Sequence, residues 1–257
     1  MQKIAAEQNL SETAFVRVQG DGDFATANTF SLRWFTPTTE VDLCGHATLA
    51  TAAAISMVCK NMNKEFSFST KSGELIAMNN VMKSGERSFT IDLPANPCTG
   101  HSTDVFSTIA SVISDVQPVE ICYSVSTGKL LLCMPDDFQK SNLEALKVSS
   151  TALAAIDQSE TSFPVRGVIV TTKGDGENYD FYSRYFAPWV GIDEDPVTGS
   201  AHTVLGPYWS EKLGRKKLKA RQCSPRGGDI LVAIPGDGKR VHLTGAARVF
   251  SVGDLFV

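Results

Sequence analysis

The sequence predicts an α/β (α+β) protein of two pseudo-symmetric halves, each a mixed sheet wrapped around a central helix. Three observations predict it. First, four motifs recur in order at a nearly constant offset. Arg33-Trp-Phe-Thr-Pro37 is echoed by Arg184-Tyr-Phe-Ala-Pro188 at 151 residues, and Gly20-Asp-Gly22 by Gly174-Asp-Gly176 at 154. Cys44-Gly45-His46-Ala47 is answered by Thr198-Gly199-Ser200-Ala201 at 154, and the segment around Gly73 by that around Gly228 at 155. That period is too long for a solenoid and reads as a duplicated domain. Second, both copies carry the same run of strands and turns. Third, both carry one small-residue helix at the same place in that run.

Each copy opens with a β-branched run, Phe15 to Val18 or Val168 to Thr172, leading into the Gly-Asp-Gly turn. A second strand holds the Arg-aromatic-Phe block and stops at a proline, which has no N–H to give a ladder. A polar loop then ends in a helix start at Gly45-His46 or Gly199-Ser200. The helix from Ala47 to Val58 is apolar nearly all round, so it should be enclosed. Its counterpart carries Gly206-Pro207, which predicts a kink or a short first segment. A strand–turn–strand follows, Glu65 to Met78 and Ala220 to Ile234, and then a last strand near Ser88 to Leu93 or Val241 to Leu243. The halves are drawn at 1–97 and 98–257, with an active-site cleft expected between them. The second half opens with a hairpin, Val119 to Tyr123 and Lys129 to Met134 around Ser126-Thr-Gly128. Only a short helix pattern, Gln2 to Gln8, precedes Phe15. Carrying the offset back from Val119 lands about 35 residues before Met1, so internal symmetry predicts a first half lacking its opening strands.

Composition removes several function classes. The 257 residues are 42% hydrophobic and 20% charged, which is globular rather than disordered. The net charge of −4 gives no general pull toward nucleic acid or anionic membrane. Six scattered cysteines without C-x-x-C spacing, and four histidines with no Cys at zinc spacing, predict reduced thiols and no metal. No apolar signal core or span-length apolar run is present, so a cytoplasmic protein is expected. The basic run Lys212 to Arg221 has no interleaved aromatics and reads as a solvated helix end. No phosphate loop, dinucleotide fingerprint, G-x-S-x-G elbow or H-E-x-x-H occurs.

Candidate chemistry gathers at the two helix starts. Unpaired N–H groups and partial positive charge there suit a carboxylate or phosphate, and Gly45 and Gly199 permit close approach. The same residues also suit plain helix capping; matching duplicate positions favour a ligand cleft. His46 reads either as a neutral hydrogen-bonding imidazole or as a histidine satisfied by nearby backbone. Asp195, before the second helix start, reads as a dipole partner or as a carboxylate set against His46. Glu12, in Asn9-Leu-Ser-Glu-Thr-Ala-Phe15, reads as a loop carboxylate or, if it follows Phe15 inward, as an interior one. Its duplicate position holds Arg166, so only one half supplies this group. Cys44 is placed where a thiol pKa can fall, yet the second half has no matching thiol, so thiol racemisation is not expected.

Asn9-Leu-Ser-Glu-Thr-Ala-Phe15, Arg33-Trp-Phe-Thr-Pro37 through Glu40-Val-Asp-Leu-Cys-Gly-His-Ala-Thr48, and Glu194-Asp-Pro-Val-Thr-Gly-Ser-Ala-His202 together resemble the PhzF-type phenazine-biosynthesis-like family. The resemblance covers essentially the whole chain. It implies a diaminopimelate epimerase-like fold, usually homodimeric, with the site between the halves and no cofactor or metal. It also implies an isomerase that moves a proton on a small carboxylated substrate. Carried over by motif, Glu12 is the proton-shuttling carboxylate, with His46, Asp195 and Ser200 around the substrate and the Gly199-Ser200 amides near its carboxylate. A desolvated Glu12 should have a raised pKa, as a base that returns its proton requires. The family's opening strand and Gly-Asn-Pro motif are absent here, in line with the symmetry argument. The alternative is a catalytically inactive binding or interaction module on the same fold; no nucleic-acid or membrane partner is expected.

Overall fold

Turn chemistry and strand alternation lay down the duplicated pattern in space. The computed structural model describes residues 1–81 and 86–255. These form two compact units, Met1–Leu93 with His242–Val257, and Pro94–Val241. The sequence division at 97/98 left the whole C-terminal segment with the second half, whereas residues from His242 cluster with the first unit.

The first unit begins with helix α1 (Gln2–Gln8), closed by Asn9 in the left-handed conformation at φ 50°. Strands β1 (Thr13–Val18) and β2 (Thr29–Phe35) follow, then the short β3 (Glu40–Val41) and helix α2 (Gly45–Met57). Strands β4 (Glu65–Thr70), β5 (Gly73–Val81) and β6 (Arg87–Pro94) complete the run. β1 and β2 pair antiparallel with Phe15 opposite Arg33, β2 and β4 run parallel, and β4, β5 and β6 are antiparallel. The turn between β1 and β2 is held by Asp23, whose Oδ1 accepts from the Ala25 and Thr26 amides at 3.0 and 2.9 Å. Phe30, Leu32 and Trp34 of β2 and Phe66 and Phe68 of β4 alternate inward and are fully buried.

The second unit opens with β7 (Thr99–Gly100), α3 (Asp104–Ile113), β8 (Glu120–Ser124) and β9 (Lys129–Cys133). Two short helices follow, α4 (Lys140–Ala145) and α5 (Ser150–Ala154). Then come β10 (Gly167–Lys173), β11 (Phe181–Phe186), α6 (Gly199–Leu213), β12 (Lys217–Gln222) and β13 (Gly228–Ala233); the last strand, β14 (Arg240–Gly245), belongs from His242 on to the first unit. The pairings repeat those of the first unit: β10 and β11 antiparallel, β11 and β12 parallel, β12 and β13 antiparallel. The extra hairpin β8–β9 adds to the β10 edge in parallel. One sheet face packs Leu130, Leu132, Val168, Val170, Tyr182 and Phe186 against α3, α4 and α5. The other faces α6, where Trp209 Nε1 donates to Thr171 Oγ1 at 2.9 Å.

Two helix expectations need correction. α2 is apolar, but Ala50, Ala54, Met57 and Val58 are exposed, so it is covered on most sides rather than all. Three of those four lie one helical turn apart, and alanine leaves little surface to hide. α6 runs unbroken from Gly199 to Leu213 with Pro207 inside it. The proline leaves the Thr203 carbonyl without its helical donor, and the Asn96 amide donates to that carbonyl at 3.0 Å instead. Gly206 lets the helix sit down on β13, since a Cβ there would come 2.9 Å from Val232 Cγ1. Among the described residues no helix is long and apolar enough to cross a membrane.

Candidate active site

In the first unit, the turn after α1 carries Ser11 and Glu12 toward the start of α2. Glu12's side chain is only 7% exposed, and its Oε2 lies 3.1 Å from His46 Nε2. Ser11 Oγ stands 3.5 Å from the same nitrogen. Cys44, at the N-cap of α2, places its sulfur 3.8 Å from His46 Nδ1. The helix start itself has no side-chain cap, so the first-turn amides beginning at Gly45 are not consumed by one. Glu12, His46 and Gly45 therefore lie together, and the carboxylate against His46 is that of Glu12. Ser11, to which the sequence analysis gives no role, joins them.

The electrostatics differ from expectation. Burial pushes the Glu12 carboxyl up, but the His46 hydrogen bond and charge, with Ser11 and Cys44, outweigh it. The net result is a carboxyl held below its ordinary range. The predicted rise considered desolvation alone and omitted the imidazole at contact distance. Glu12 is therefore ionised at rest. Cys44 shows the reverse: burial pushes its thiol up in spite of His46, so the helix start does not make it a thiolate. Glu12, Cys44 and His46 do bring one ligand atom each within 4.8 Å of one another, a spacing a soft divalent cation could bridge. The sulfur lies 3.8 and 3.9 Å from the two ring nitrogens, beside the ring rather than on one lone-pair direction. That placement lies on neither nitrogen's in-plane direction, so it does not fit coordination of one ion by both groups.

The second unit supplies Asp195, Gly199 and Ser200. Asp195 is buried, its amide donates to the Tyr185 carbonyl at 3.1 Å, and its Oδ1 accepts from the Val197 amide at 3.3 Å. Gln222 fixes the loop between Asp195 and α6. Its Nε2 donates to the Asp195 carbonyl at 2.6 Å and its Oε1 accepts from the Thr198 amide at 2.7 Å. Nothing in the motifs singled out Gln222; its place on the inward face of β12 was the available signal. Arg184 grips Glu194 through Nε and Nη2 at 2.7 and 2.8 Å, and its Nη1 donates to the carbonyls of Leu143 and Leu146. α6 also begins without a side-chain cap, leaving the Gly199 and Ser200 amides for a ligand. His202 in its second turn is fully buried, with Nδ1 2.7 Å from the Thr198 carbonyl. Burial pushes it down to about 4, so it is neutral and donates through Nδ1.

Comparison with known proteins gives this arrangement its relatives. The family profile described as "PhzC-PhzF: Phenazine biosynthesis-like protein" matches residues 1–253. The human phenazine biosynthesis-like domain-containing protein is 47% identical over 262 residues, which covers 99% of this chain and 87% of that protein. A Pseudomonas aeruginosa protein described as an uncharacterized isomerase is 39% identical, covering 99% of this chain and 86% of the relative. The crystal structure of a PhzF-family protein from Enterococcus faecalis superposes with a TM-score of 0.83 at 34% identity, covering 100% of this chain and 86% of that one. These relatives support an isomerase-like function, and a superposition at a TM-score of 0.63 and 19% identity on a Pseudomonas aeruginosa protein described as a predicted epimerase bears out the epimerase-like fold. On the duplicated sheets, the Glu12–His46 pair and a match along nearly its whole length, the chain belongs to the PhzF phenazine-biosynthesis-like family.

Proposed function

We propose that this protein is a cofactor-independent isomerase that moves a proton on a small carboxylated substrate, with Glu12 as acid and base. The observation that carries the reading is a buried carboxylate, ionised at rest, 3.1 Å from an imidazole at a helix start. In the first step Glu12 takes a proton from a substrate carbon: the C–H bond breaks, an O–H bond forms, and the electron pair moves into the substrate's unsaturation. In the second step the O–H bond breaks and a C–H bond forms at another carbon, which returns Glu12 to its carboxylate. His46 orients Glu12 and steadies its charge. Asp195, Ser200 and the Gly45, Gly199 and Ser200 amides are proposed as substrate contacts, the amides facing its carboxylate. The six free cysteines accord with a reducing compartment, and a cytoplasmic homodimer is the proposed working form.

The test is solvent deuterium incorporation, by mass spectrometry, into a panel of cyclic and amino-acid carboxylates, with Glu12→Gln beside the unaltered protein. Thermal melting first establishes that both fold. Exchange into one compound, abolished in Glu12→Gln, is the expected result and identifies the substrate class. Exchange that survives in Glu12→Gln refutes the role of Glu12. Its absence across the panel, with melting shifts by the same compounds, favours a binding module.

A further inference from the structure

The second unit holds a buried cation that the proton-shuttle reading does not use. Lys129 opens β9 at the head of Lys-Leu-Leu-Leu-Cys, and its side chain is 7% exposed. Strand alternation turns it away from Leu130 and Leu132, which belong to the opposite core, and onto the face covered by α6. The two ends of α6 have separate anchors on that unit. Trp209 meets Thr171 of β10, and Lys212, one turn on, reaches Cys133 Sγ of β9 at 3.8 Å. The C-terminal end of α6 thus lies over the far end of the parallel β9–β10 pair, whereas the loop entering its N-terminal end is held at Tyr185, whose carbonyl accepts from the Asp195 amide at 3.1 Å, on the side of Lys129 and Gly167. Those two residues are register partners.

Tyr185 of β11 completes the cluster. A Cβ on Gly167 would stand 2.1 Å from the Tyr185 hydroxyl, so that hydroxyl lies directly over the glycine. The Lys129 ammonium stands 5.6 Å from the Tyr185 ring centre. Among the described residues, neither the ammonium nor the hydroxyl makes a hydrogen bond or an ion pair. The charged groups near enough to act on Lys129 are Arg166 and Asp195. On the neighbouring β8, Ser124 is its register partner, and that hydroxyl is committed to the Asn96 carbonyl. A lysine side chain this buried, with no protein acceptor for its ammonium among the described residues, is favoured by an acceptor supplied from outside.

We propose that Lys129 and Tyr185 bind the carboxylate of a small ligand at the start of α6, making Lys129 the anion-recognising residue of the second unit. Two hydrogen-bond donors and an uncapped helix start then converge on one anion. The inference rests on the isomerase reading only for the ligand being its substrate. Burial, with Arg166, pushes Lys129 down to about 8 against the opposing pull of Asp195, while burial and Asp195 push Tyr185 up and keep its proton on. A bound carboxylate favours the ammonium, so affinity is full below that lysine value and is lost as pH rises through it.

The test titrates isotopically labelled lysine side chains by NMR in the full chain, with and without benzoate, at constant ionic strength set with chloride. The expected result is a Lys129 midpoint moved up by about one pH unit, equivalent to about tenfold tighter binding to the ammonium form. Lys129→Met should weaken benzoate at least tenfold, whereas Lys129→Arg should keep the affinity and lose its pH dependence. A midpoint that benzoate leaves in place but Asp195→Asn moves would overturn the proposal, because Lys129 is then an internal counter-ion. If Lys129→Met does not fold, the titration of the unaltered protein still decides. Glu12→Gln separates the two readings: the benzoate titration stands if that variant keeps exchange, and exchange stands if benzoate leaves Lys129 unmoved.

Discussion

Duplication has placed the same ion pair in two environments, which allows its energetics to be worked out within one chain. Arg33 forks onto Glu40 at 2.7 and 2.9 Å, and Arg184 forks onto Glu194 at 2.7 and 2.8 Å. Each guanidinium also stacks on the phenylalanine two residues on, at 5.2 and 4.9 Å. The surroundings differ. Arg33's side chain is 45% exposed, and Glu40 keeps a second cation, Lys71 at 2.7 Å, if Arg33 is removed. Arg184's side chain is 8% exposed and also satisfies two backbone carbonyls, those of Leu143 and Leu146 at 3.0 and 2.8 Å. Arg184→Met therefore strands a partly buried carboxylate and two carbonyls. Removing one partner of a buried pair costs about 3–5 kcal/mol, and Glu194's residual exposure points to about 3. At about 2–4 °C per kcal/mol for a chain of this size, the melting temperature should fall by roughly 6–12 °C. Arg33→Met should shift it by less than about 2 °C, because water and Lys71 take over. Differential scanning calorimetry of both variants is the assay. Equal shifts would refute the reasoning, since they would mean that fork geometry rather than burial sets the worth of the pair.

Three further outcomes follow from the first unit. His46→Gln removes what holds the Glu12 carboxyl low while leaving it buried, so the acidic limb of the exchange–pH profile should move to higher pH. The linkage sign is that of a depressed carboxylate: Glu12's stabilisation is full above its unfolded value and lost as pH falls through the folded one, so Glu12→Gln should cost stability at neutral pH and converge with the unaltered protein in acid melts. Native alkylation by iodoacetamide near neutral pH, mapped by mass spectrometry, should modify the half-buried Cys59 well before Cys44, whose thiol is buried and pushed up. Cys44 reacting as fast as Cys59 would contradict that environment.

Much of this molecule was legible because its signals are local. The Gly-Asp-Gly turns work through single residues: Gly20 and Gly176 take left-handed angles of 84° and 76°, and Asp23 and Asp175 accept the turn amides. Prolines after the Arg-aromatic-Phe strands and small residues at two helix starts are likewise readable one segment at a time. What escaped depends on register or on remote partners. Lys129 looks like an ordinary strand-end lysine until pairing sets it beside Gly167. Gln222 matters only because β12 runs under the loop before α6. The direction of Glu12's pKa needed His46 at 3.1 Å, and the unbroken α6 needed Asn96 to receive the carbonyl that Pro207 frees. Each is a contact between segments far apart in the chain.

The return of His242–Val257 to the first unit has a consequence for biosynthesis. Residues Pro94–Val241 form a continuous stretch and can close their core as soon as that stretch has left the ribosome. The first unit cannot, although its synthesis starts earlier, because its part of strand β14, from His242 on, is made only after the whole of the second unit. Thr90 and Thr244, 2.6 Å apart through their hydroxyls, and Asp92 and His242 at 3.5 Å, mark where that strand docks on β6. Until it arrives, β6 presents an unpaired edge beside the buried Phe89, Ile91 and Leu93, the kind of surface that recruits other chains. The earlier-made unit is thus the later to finish, and during translation the nascent protein is most exposed to misassembly at β6.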